Sequence, residues 1–294
     1  MSALAAIPRL SAADLELSAR RVVEGLYAGR HRSPFTGSAV EFRDHRAYQP
    51  GDDLRAVDWK AFARSDHLLV RRYQEERDLP VVLLLDTSAS LDFGTPTKAD
   101  WCAQAAAALA LLVIDQGDRV RVAAGAAELV VLTSNAGGPA AMPALTKVLA
   151  GLTPAGRGDL PALLSGLAAR LERRALIVLL SDLLTEATAL AQPLAALTGR
   201  GHDLAVVQVL DRSEVSLPTD WGRSRFTDPE GVVAELTSDT ALAKPGYDAA
   251  MAAHLEACRQ VCAGCRCDHQ LALTDEQVGE SLGRWLARRQ GRRT

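Results

Sequence analysis

The chain has 294 residues, enough for one large or two modest domains with a sizeable core. It is 48% hydrophobic and 23% charged, with a formal charge of -3, which excludes a disordered chain and gives no global reason to expect nucleic acid. Four lysines accompany twenty-nine arginines, and five cysteines, four of them near the C-terminus, do not suggest a secreted disulfide framework. The longest apolar run, Ala105 to Ile114, is too short to span a bilayer. Residues 3–7 are apolar without a basic region ahead of them, unlike an export signal, so the expected location is cytoplasmic.

In chain order, Ser11 to Gly29 has helical spacing of Leu15, Val22, Val23 and Leu26, with Ser11 as cap. Arg30 to Gly37 is basic and turn-rich, either an anion site or a solvated loop. Val40 to Arg43 and Leu68 to Glu76 read as strands. Between them, alternating Arg and Asp around Pro50-Gly51 suit an ion-pair lattice or a docking face. Val81 to Leu85 is a continuous aliphatic run, the pattern of a strand buried on both faces, and it ends at Asp86-Thr87-Ser88-Ala89-Ser90. Lys98 to Gln116 is an Ala-rich helix stopped by Gly117. Val120 to Ala124 and Leu129 to Leu132 read as strands, and Pro139 to Gly151 and Leu160 to Leu171 as helices. Ala175 to Leu180 is a second buried strand running into Ser181-Asp182. A helix from Ala187 to Thr198 and a strand from Leu204 to Leu210 follow.

Residues 213–238 interrupt this rhythm as an inserted hairpin, with Arg223 to Phe226 and Val232 to Leu236 as its strands. A helix from Thr240 to Cys262, a strand from Asp268 to Leu273 and a helix from Asp275 to Arg288, capped by Thr274, complete the chain. Strands alternating with helices predict an α/β fold with a Rossmann-like, doubly wound, mostly parallel sheet. The expected division is residues 1–79, a small α+β segment, and residues 80–290, the sheet domain.

Two groupings have the composition of metal sites. Asp86, Ser88, Ser90 and Asp182 fall at strand ends, where open α/β sheets bind ligands, and offer only oxygen, the donor that Mg²⁺ prefers. The alternative is that they cap the following loop. Cys258, Cys262, Cys265, Cys267 and His269 could supply a tetrahedral Zn²⁺ site, or pack as small buried hydrophobes. There is no P-loop and no Gly-x-Ser-x-Gly elbow, and no histidine is paired in sequence with a nucleophile.

Asp86-x-Ser88-x-Ser90 after an aliphatic strand resembles the metal-ion-dependent adhesion site of von Willebrand factor A domains. Upstream, Gly29 through Ser33, Glu41-Phe42-Arg43, Arg46-x-Tyr48-x-Pro50-Gly51-Asp52-Asp53-x-Arg55, Asp58-Trp59 and Ala63-Arg64 resemble the bacterial family named domain of unknown function 58. The resemblance covers almost the whole chain. It implies a von Willebrand factor A-like domain that works beside a MoxR-type AAA+ ATPase, as a non-enzymatic adaptor in the assembly or maturation of a client protein. A divalent cation would then contact an acidic residue of the partner. The family pattern has threonine where this chain has Gly158, so one direct ligand is missing unless Asp159 or water substitutes. The competing expectations are a structural domain with a decayed metal site and a metal-dependent hydrolase.

Overall fold

The computed structural model describes residues 9–28, 40–49, 57–59, 61–62, 67–75 and 79–291. The basic stretch at 30–37 and most of the Arg/Asp segment around Pro50 lie outside them. Contacts divide the chain into two units, residues 35–79 and the remainder. The smaller unit holds an antiparallel pair, β1 (Val40–Ala47) and β2 (Leu69–Glu75), with a register shift between Phe42 and Asp44. Val57 bridges to Val70, and both are buried.

The larger unit is built on a six-stranded sheet. Its strands are β3 (Val81–Asp86), β4 (Val120–Gly125), β5 (Val131–Leu132), β6 (Leu176–Ser181), β7 (Asp203–Leu210) and β10 (Asp268–Leu273), in the order β10-β7-β6-β3-β4-β5. All neighbours are parallel except β4 and β5. Every residue of β3 and β6 is buried, as expected for central strands covered on both faces. Val82, Leu84, Ile177 and Leu179 face a core completed by α4 (Leu160–Ala168), α5 (Ala191–Gly199) and α7 (Thr240–Gly264). The opposite layer contains α1 (Ala12–Ala28), α2 (Lys98–Asp115), α3 (Met142–Ala150) and α8 (Val278–Gly291), which pack on one another. The chain leaves β3 for β4 on one side and returns to β6 on the other. The ends of β3 and β6 therefore flank a topological switch point, where a crevice opens above the sheet.

Several sequence expectations shift. The expected 1–79 segment is divided. Leu15, Ala19, Val23 and Leu26 are buried along one stripe of α1, and that stripe packs on α2, α3 and α8, so the helix belongs to the sheet unit. The hairpin forms from β8 (Arg223–Phe226) and β9 (Leu236–Asp239), so its second strand begins four residues later than expected. The Asp228 carboxylate accepts the N–H groups of Glu230, Val232 and Val233 and holds that stretch in a turn. Thr274 does not cap the last helix, which begins at Val278. Its hydroxyl donates to Asp211 instead. A short helix, α6 (Arg212–Val215), was not expected. The Asp211 and Glu214 side chains form its capping box.

Candidate functional site

The end of β3 turns sharply into a short 3₁₀ segment at Ala89–Leu91. Asp86 is held by this turn: its Oδ1 accepts the Ser88 N–H at 2.8 Å. Its Oδ2 accepts the Ser181 hydroxyl at 2.7 Å, which ties the ends of β3 and β6 together. The Ser88 and Ser90 hydroxyls are 3.0 Å apart and bonded to each other. All four side chains are buried, and burial together with the nearby Asp182 carboxylate pushes the Asp86 pKa up to about 6 against these hydrogen bonds.

Asp182 follows β6 directly. Its Oδ1 accepts the Leu184 N–H at 3.2 Å, and its Oδ2 accepts the Lys98 ammonium at 2.8 Å. Lys98 also donates to Glu214 Oε1 at 2.6 Å. The Lys98, Asp182 and Glu214 side chains are 0%, 3% and 14% exposed, so this is a buried ion triad rather than a surface pair. Burial alone would depress the Lys98 pKa, but the two carboxylates outweigh it and hold it above its ordinary value. Burial raises Glu214 despite the ammonium beside it.

The inserted hairpin reaches the same edge. Glu230 Oε2 accepts the Gly158 N–H at 3.0 Å. A Cβ at position 158 would lie 3.0 Å from Ser88 Cβ and 3.3 Å from Glu230 Oε1, so glycine is what lets the carboxylate and the serine turn approach together. Between hairpin and sheet lies a cavity of about 550 Å³ whose lining includes Ser90, Phe93, Gly158, Leu184, Trp221 and Glu230. Phe93, Leu184 and Trp221 are each partly exposed at its rim.

The structure thus brings together Asp86, Ser88, Ser90 and Asp182, as the sequence pattern suggested. Asp159 takes a different part: its Oδ1 accepts the Ala162 N–H at 3.0 Å and caps α4. Sequence reasoning missed Lys98, Glu214, Ser181 and Glu230. The Asp211-x-x-Glu214 capping pattern was a readable signal for Glu214's helix, but no local pattern marked Lys98 as its partner.

The donors do not fit a divalent cation held in this arrangement. Gly158 supplies no side-chain oxygen, and Asp182 already carries the Lys98 ammonium. Among the described residues no group of three or more His, Cys, Asp or Glu side chains converges as a metal site.

The cysteine run does not assemble into a zinc cage either. Cys258, Cys262 and Cys267 are part of the core beneath α7, and Cys265 packs against it. Cys258 Sγ lies 3.5 Å from His254 Nε2, Cys265 donates to the Ala191 carbonyl, and His269 Nε2 bonds to Gln208 Oε1. Burial pushes the thiols of Cys258 and Cys262 up to about 11 and about 12, so without a metal beside them they stay protonated. Helical spacing put Cys258 and Cys262 on one face, and that face is the core face.

Fold and site together define an α/β protein with a mostly parallel central sheet flanked by helices and a polar crevice at its switch point. The family described as protein of unknown function DUF58 matches residues 44–257, and the chain belongs to that family. Uncharacterized proteins of Mycobacterium tuberculosis and Mycobacterium bovis are each 35% identical over 292 residues, covering 96% of this chain and 90% of theirs. Among solved structures, the conserved hypothetical protein BatB from Bacteroides thetaiotaomicron aligns with a TM-score of 0.47 and 11% identity, over 72% of this chain and 99% of that one. An aerotolerance-related membrane protein from Bacteroides fragilis aligns with a TM-score of 0.48 and 15% identity, over 73% and 99%. Among the described residues no helix is long and apolar enough to cross a membrane.

Proposed function

We propose that this chain is a non-enzymatic interaction module with a von Willebrand factor A-like sheet domain. Its working face is the crevice at the ends of β3 and β6, and it takes up an acidic side chain of a partner protein. The observation that carries this reading is Glu230: a carboxylate from the hairpin already sits on the Gly158 N–H beside the Ser88–Ser90 turn. A backbone N–H aimed at a carboxylate is a general acidic-motif seat, and the apolar rim supplies the desolvated surround that gives such a contact strength. The hydrolase alternative is less well supported, because the Ser88 and Ser90 hydroxyls bond to each other rather than to a base. The family resemblance makes a MoxR-type AAA+ ATPase, together with its client, the expected partner.

The test is capture of a purified MoxR-type ATPase from the same genome by the immobilised full chain. Retention is expected to strengthen with Glu230→Ala, which vacates the seat, and to disappear with Gly158→Ala, whose Cβ crowds it. Absence of capture by every form, or equal capture by all three, would overturn the reading.

A further inference from the structure

Lys98 is hard to explain as an ordinary helix residue. It opens α2, where the helix dipole disfavours a positive charge, and it is completely buried in a chain with only four lysines. Burying an ammonium without compensation costs several kcal/mol or more. What compensates it is specific. Asp182 from the end of β6 and Glu214 from α6 each accept one of its N–H groups, and its Nζ stands 5.8 Å from the centre of the Phe93 ring. Glu214 is itself fixed, because its other oxygen accepts the Asp211 N–H at 2.8 Å. The ammonium is therefore held by groups from three separate elements at the switch point.

We propose that the Lys98 ammonium is the resident cation of this edge, and that it neutralises the strand-end carboxylates in place of a divalent ion. Two further observations agree. Gly158, where the resembled family pattern has a threonine, offers no side-chain oxygen, and its backbone N–H donates to the Glu230 carboxylate. A divalent ion brought to Asp182 would meet an ammonium already 2.8 Å from that carboxylate, and at such range in a buried setting like charges repel strongly. A tethered lysine cannot be chelated or diluted away, so the edge keeps its charge balance at any metal concentration. The inference concerns the same edge as the proposed function, but its test uses metal alone and needs no partner.

The experiment is a titration of the full-length protein with MgCl₂ and MnCl₂, read by calorimetry and by thermal midpoint, for wild type, Lys98→Met and Lys98→Met/Glu214→Gln. The double variant removes one carboxylate with the ammonium, so it retains less uncompensated charge if the single variant does not fold. Wild type is expected to show no saturable heat and no midpoint shift at millimolar metal. At least one lysine variant is expected to gain divalent-dependent stabilisation, because the ion now fills the place of the lost ammonium. Saturable one-to-one binding by wild type that is lost with Ser90→Ala would overturn the proposal. So would folded lysine variants that gain no response to metal.

Discussion

The strand-end group and the cysteine run look alike as lists of ligands, and the fold treats them in opposite ways. Asp86, Ser88, Ser90 and Asp182 sit where parallel strands stop, so their side chains meet at an edge that no helix covers completely. Cys258 and Cys262 sit on the core face of α7 and Cys267 immediately before β10, so the same compact spacing carries them into the interior. Polar groups at an edge must find partners there, and they recruit Lys98, Ser181 and Glu214 to do so. Thiols need no partner and pack as small hydrophobes.

Substitutions at the two places should separate these roles. The largest effect is expected for Lys98→Met, which leaves Asp182 and Glu214 buried without their cation. Denaturant unfolding without added metal should show a loss of about 3–5 kcal/mol. A loss below about 1 kcal/mol would mean that the triad relaxes into solvent.

Asp86→Asn should act in the other direction. The Asp86 pKa is raised in the folded state from 3.8 to about 6, so the folded protein holds this proton more tightly than the unfolded chain. The cost of ionising it is absent below the unfolded value, grows as the pH rises towards 6 and is complete above it. An amide can accept from Ser88 N–H and donate to Ser181. The variant is therefore expected to be more stable than wild type by about 1–3 kcal/mol at pH 8, with the gain vanishing near pH 4. A gain independent of pH would remove the electrostatic explanation.

At the cysteines, Cys262→Ser places a hydroxyl in apolar packing and should cost about 1–3 kcal/mol. Chelator treatment of wild type should leave the thermal midpoint unchanged. A drop on chelation would revive a metal at the cysteines. The smallest stability effect is expected for Glu230→Gln, about 0.5 kcal/mol or less, because the side chain is only half-buried. Its consequence should appear in partner capture rather than in unfolding.

Much of the larger unit was legible in advance because its signals are local. The aliphatic runs at Val81 to Leu85 and Ala175 to Leu180 have the pattern of strands covered on both faces, and the Ala-rich stretch from Lys98 has that of a helix. The differences fall where a capping carboxylate or tertiary packing competes with the local pattern. Asp228 delays β9, Asp211 takes the Thr274 hydroxyl, and packing on α2, α3 and α8 draws α1 into the sheet unit.

The candidate site divides in the same way. Local pattern placed Asp86, Ser88, Ser90 and Asp182 at strand ends, because burial of the strands leaves their polar residues only the edge, and the pairing of β3 with β6 made those ends neighbours. Tertiary structure alone decided which charge balances them. Lys98 is 84 residues from Asp182 and 116 from Glu214, and Glu230 is 72 from Gly158. No periodicity spans such distances. Pairing at that range is set by how helices and the hairpin pack over the switch point, and by the high cost of leaving any one of those charges buried alone.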